Sequence, residues 1–113
     1  MKKNIALIVI SIFCGMTAVA QPSATLEWAK QLGGTSADNS LSVAVDNLGN
    51  VYTTGDFRGT SDFDPGPGTF NLTAIGIRDI FISKLDADGN FVWAVQLAGE
   101  DNEYSRAIAV DAA

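Results

Sequence analysis

The residues Trp28-Ala29-Lys30-Gln31-Leu32-Gly33-Gly34 return as Trp93-Ala94-Val95-Gln96-Leu97-Ala98-Gly99, 65 positions further on. At the same shift Ser40, Ala44, Val45 and Asp46 return as Ser105, Ala109, Val110 and Asp111, and Val43 becomes Ile108. Nine of the nineteen residues from 28 to 46 are thus identical at one fixed shift, so the chain is built from a repeat. A repeat unit does not bury its apolar surface alone; neighbouring units do that for it. The chain holds little more than one unit and reads as the start of a longer protein.

The first 20 residues read as a secretory signal peptide rather than as part of the repeat. Lys2 and Lys3 open it, Ile5 to Phe13 is apolar apart from Ser11, and Ala18-Val19-Ala20 offers small residues ahead of a cut before Gln21. The alternative is a membrane anchor, since no charge occurs from Asn4 to Leu26. The apolar stretch from Ile5 to Ala20 has 16 residues, whereas a span needs about 20. The division is therefore 1–20 as signal peptide and 21–113 as repeat region, with one full unit and parts of its neighbours.

Removing that leader leaves 13 acidic against 5 basic residues, a formal charge of −8. Such a surface repels nucleic acid and anionic lipid. Cys14, the single cysteine, lies in the leader, and there is no histidine. Disulfides, thiolate and histidine metal sites, Ser-His-Asp triads and Cys-His dyads are excluded for the segment. Phe13 before Cys14 also argues against lipidation.

Four segments have strand character: 41–45, 51–57, 80–85 and 91–97, with β-branched, aromatic or alternating composition. Leu26 to Leu32 reads as an earlier copy of the last strand and Ala107 to Val110 as a later copy of the first. Asp46-Asn47-Leu48-Gly49-Asn50 and Asp86-Ala87-Asp88-Gly89-Asn90 share the pattern Asp-x-x-Gly-Asn. The Asp accepts nearby backbone N–H groups and the Gly supplies a positive φ, so each marks a hairpin turn. The result is an all-β unit, a four-stranded antiparallel meander. Because both faces of these strands carry apolar residues, each sheet is expected to lie between similar sheets, as in a β-propeller blade. Both tight turns then fall at one end, and the Gly33–Ser40 and Arg58–Arg78 connections at the other, the end where repeat proteins carry binding surfaces.

The runs Gly49-Asn50-Val51-Tyr52-Thr53-Thr54-Gly55 and Asp79 to Asn90, followed by Trp93, resemble the SBBP β-propeller repeats of bacteria. The Asp62-Phe63-Asp64-Pro65-Gly66-Pro67-Gly68 loop is similar to an insert of a secreted bacterial subgroup. The resemblance covers about residues 26 to 113. It implies a secreted or cell-surface protein of many repeats and is nearly silent on activity.

Chemistry in the segment is sparse. Asp62 and Asp64 put two carboxylates in a Gly- and Pro-rich loop and are the candidate metal ligands, for calcium. EF-hand spacing fails, because the fifth position is Gly66 and the twelfth Thr73, and a rigid turn with solvated carboxylates is the plainer reading. A sialidase-type Asp box is absent: around Gly89 its places hold Ala87 and Val92. Asn71-Leu72-Thr73 fits a glycosylation sequon or a turn entering a strand. Trp28 and Trp93 recur at the repeat period and read as core residues. Phe63 and Phe70 are the aromatics placed to meet a sugar. The expectation is a noncatalytic structural or interaction scaffold without a cofactor. Its partners are further repeats of the same chain and a protein or carbohydrate ligand at the long-loop face, with no nucleic acid and no membrane span after cleavage. The alternatives are a calcium-supported carbohydrate-binding or adhesin module and an accessory propeller of a downstream extracellular enzyme.

Overall fold

A computed structural model describes residues 3–5 and 23–112. The leader assigned from the sequence therefore lies outside the described residues, apart from Lys3–Ile5. The described chain forms β1 (Lys3–Ile5), β2 (Lys30–Gly34), β3 (Asn39–Val45), β4 (Val51–Phe57), β5 (Thr60–Asp62), β6 (Asn71–Thr73), β7 (Asp79–Leu85) and β8 (Phe91–Leu97). One sheet has the order β3-β4-β7-β8 and the other β1-β2-β5-β6, with every pairing antiparallel.

The β3-β4-β7-β8 sheet is held by its two turns. Asp46 Oδ1 accepts from the N–H groups of Leu48 and Asn50, each at 2.9 Å, and Asp86 Oδ1 accepts from Asp88 and Asn90 at the same distance. Gly49 and Gly89 stand at φ of 82° and 78°, where a Cβ would strain the backbone. Both aspartates thus act as turn residues. Hydrogen bonds from Asn50 hold the Asp46 carboxyl below its ordinary range, and the Asn90 backbone N–H does the same for Asp86.

The register sorts the side chains. Val51, Thr53, Gly55 and Phe57 face the same way as Leu85, Ser83, Phe81 and Asp79, their cross-strand partners. This face is covered by the excursion between β4 and β7. That excursion is more than a loop: β5 and β6 form a hairpin closed by Phe63 N–H to Phe70 O (2.9 Å) and Ala74 N–H to Gly59 O (2.8 Å). Phe63 packs with Phe57, Phe81 and Ala94, flanked by Leu72, Ala74 and Phe91. Ring centroids lie 5.4 Å from Phe63 to Phe57 and 4.8 Å from Phe63 to Phe81. Edge-to-face and tilted aromatic packing of this kind dominates the energetics of so small a core.

Three expectations change here. The 26–32 strand begins only at Lys30, where β1 and β5 supply ladder partners. Residues 107–110 form no strand, since they meet no pairing edge and touch the sheet through Ile108 N–H to Ser42 Oγ, 3.2 Å. The tryptophans are outside the phenylalanine core: Trp93 is 36% exposed and lies edge-on to Tyr52 at 6.1 Å, and Trp28 rests on a turn. Apolar side chains remain exposed on both sheet faces, Val43 and Val45 on one, Val95 and Leu97 on the other.

Candidate functional site

The loop end of the β3-β4-β7-β8 sheet gathers three buried carboxylates. Asp56, at the end of β4, accepts from Arg78 at 2.8 Å and from Asn39 Nδ2 at 3.0 Å. Asp79, at the start of β7, accepts from Ile75 N–H at 2.8 Å and from Gln96 Nε2 at 2.7 Å. Asp38, before β3, accepts from Gly34 N–H and from Ser61 Oγ, each at 2.8 Å. Asp56, through Arg78, and Asp79, through the N–H groups of Ile75 and Gly76, both hold the 74–78 segment; Asp79 also receives the Gly99 N–H, and Asp38 ties the 35–38 segment to β2 and β5.

Burial raises the Asp79 carboxyl, but the N–H groups of Ile75, Gly76 and Gly99 and the Gln96 amide outweigh it and hold the group below its ordinary range. A carboxyl so placed is ionised at neutral pH and donates no proton, so its chemistry is that of an anchor rather than of a general acid. The anchored end presents Ile75 and Ile77, 74% and 60% exposed, and the Arg78 guanidinium lies over the Tyr104 ring at 5.3 Å. Rigid loops with exposed apolar tips suit recognition of a partner.

The sequence reading missed Asp38, Asp56 and Asp79. A signal existed: Gly34 and Asp38 return at the repeat shift as Gly99 and Glu103, an acid kept in type while its neighbours change.

Asp62 and Asp64 are not at this end. The β5–β6 hairpin runs along the sheet face and brings Phe70 against Phe91, centroids 4.9 Å apart, directly after the Asp86–Asn90 turn. The Asp62–Asp64 tip therefore points toward the tight turns, which corrects its expected place at the long-loop end. Asp62 Oδ1 accepts from the N–H groups of Asp64 (3.0 Å) and Phe70 (2.9 Å), and Asp64 Oδ1 from Gly66 N–H (2.8 Å). Among the described residues no group of three or more acids, histidines or cysteines surrounds a common point. Phe63 is 1% exposed and is unable to face a sugar; Phe70, at 38%, retains that geometry. The Asn71-Leu72-Thr73 sequon is β6 itself.

Residues 27–56 match the family model described as SBBP beta-propeller repeat, so the chain carries that repeat. An uncharacterized WD repeat-containing protein of Acanthamoeba polyphaga mimivirus is 29% identical over 115 residues, which is 85% of this chain and 8% of the relative. The chain thus spans a small fraction of that relative's length. No solved structure matches. The described fold is all-β, and residues 27–56 are similar to a β-propeller repeat.

Proposed function

We propose that the protein is a secreted or cell-surface β-propeller scaffold. Each four-stranded meander is one blade, and the blades stack face to face. The observation that carries this reading is a contact between units. Trp28 belongs to the copy of the last strand, and its Nε1–H donates to Ala87 O at 2.9 Å in the second tight turn of the following sheet. A protein built by repeating that contact offers a row of loop ends for partners, with Ile75 and Ile77 as the apolar contacts of each. Catalysis has no place in this reading, because the buried acids are committed to holding loops.

Export is tested by expressing the chain with its N-terminal segment in a bacterial host and sequencing the product. The reading expects a mature N-terminus at Gln21 in the exported fraction. Met1 retained on a membrane-bound product would overturn the secreted assignment. The interaction surface is tested with Ile75→Asp and Ile77→Asp, which are expected to abolish binding of surface partners without lowering thermal stability. Undiminished binding would remove the loop end from the proposal.

A further inference from the structure

The segment 28–38 and its repeat copy 93–103 are occupied differently. Trp28 gives its indole N–H to the Ala87 carbonyl. Gly33 and Gly34 pair with Asp62 and Ser61 of β5. Asp38 Oδ1 accepts from Ser61 Oγ at 2.8 Å. All three partners lie downstream, in the sheet and hairpin that follow. At the shift of 65 the equivalents are Trp93, Ala98-Gly99 and Glu103. Among the described residues, the Trp93 indole N–H has no acceptor and the edge at Ala98–Gly99 has no strand. Glu103 Oε2 is buried with no hydrogen-bond partner. A buried, unpaired carboxylate oxygen costs the full loss of its hydration, so an acceptor left in this state points to a missing donor.

We infer that Trp93, Ala98-Gly99 and Glu103 form the receiving half of a joint for a following copy of the repeat unit in the same polypeptide. The inference rests on the scaffold reading above and names the atoms that execute it. The next unit's second tight turn offers its carbonyl to Trp93, its β5 extends the Ala98–Gly99 edge, and the hydroxyl equivalent to Ser61 donates to Glu103 Oε2. A separate copy of this chain does not fit the same place. Its Ala87 carbonyl already holds its own Trp28, and its Ser61 is already bonded to its own Asp38. The small residue at the turn is part of the fit: a Cβ on Gly89 would stand 3.0 Å from Trp28 Cδ2, so the indole lies directly on the glycine.

The test extends the chain by a second copy of residues 49–113 placed directly after Ala113, which continues the 65-residue register. Indole N–H exchange is read by nuclear magnetic resonance in the original and the extended chain. In the original, the Trp93 N–H exchanges faster than that of Trp28. In the extended chain its rate falls to that of Trp28, and replacing the appended copy of Ser61 by Ala lowers the melting temperature of the extended chain. Trp93→Phe keeps the ring and loses the donor; it lowers melting of the extended chain more than that of the original. A folded second unit with Trp93 exchange unchanged overturns the joint and leaves the scaffold reading standing. An appended unit that adds no β-structure by circular dichroism overturns the scaffold reading and the joint with it.

Discussion

Phe63 and Phe70 lie seven residues apart in one excursion, yet their environments predict different costs of removal. Phe63 is 1% exposed and touches two aromatic rings of the core; Phe70 is 38% exposed and touches one ring, that of Phe91. Truncating a fully buried Phe to Ala costs about 3–5 kcal/mol through lost transfer energy and the cavity left behind. For Phe70, burying a Phe gives about 1.5–3 kcal/mol when complete, so its partial burial sets a loss of about 1–2 kcal/mol. A domain with about 90 ordered residues has a stability of roughly 5–14 kcal/mol, and the open sheet faces put this chain at the low end. With a urea slope of about 2 kcal/mol/M, Phe63→Ala lowers the midpoint by roughly 2 M, or leaves no transition at all, and Phe70→Ala lowers it by roughly 0.5–1 M. Urea titration followed by far-ultraviolet circular dichroism reads both. Equal shifts for the two variants, or a Phe63→Ala shift below that of Phe70→Ala, would refute the placement of the hairpin over the sheet.

The Asp46, Asp79 and Asp86 carboxyls are held below the ordinary aspartate value of about 3.8. Their folded forms therefore bind protons less readily than the unfolded chain, so their contribution is complete above that value. Acid titration should show the stability they confer lost as the pH falls below about 3.8, and Asp79→Asn should flatten this part of the curve. Gly89→Ala forces a Cβ at φ 78° against Lys30 Cε and Trp28 Cδ2, and should cost about 1–2 kcal/mol with a red shift of Trp28 emission. The Asp62 and Asp64 carboxylates already receive the N–H groups of their own loop, so millimolar calcium and a chelator should leave the melting curve unchanged. A calcium-dependent rise that Asp62→Asn with Asp64→Asn abolishes would establish a site there.

The repeat and the paired turns were legible because their chemistry is local. Asp46 and Asp86 accept from residues two and four ahead, and Gly49 and Gly89 carry the φ their pattern demands. Strand segments read as 41–45, 51–57, 80–85 and 91–97 appear as Asn39–Val45, Val51–Phe57, Asp79–Leu85 and Phe91–Leu97. The β5–β6 hairpin was not legible, since Thr60–Asp62 and Asn71–Thr73 are too short to show alternation. Its core residue Phe63 sits in a Gly- and Pro-rich run that reads as an exposed loop. The buried acids at the loop end were hidden for a related reason. Their donors, Ser61 for Asp38, Arg78 for Asp56 and Gln96 for Asp79, lie 17 to 23 residues away and meet them only through the sheet register.

The central claim is that one unit is stabilised by the next. It is tested most directly by thermal melting of chains with one, two and three copies of the 65-residue unit, each monitored by circular dichroism and sedimentation. Nearest-neighbour coupling predicts that the single-unit chain melts lowest and associates through its open faces, and that each added unit raises the midpoint. A single-unit chain that stays monomeric and melts cooperatively at the same temperature as the longer ones would contradict the account.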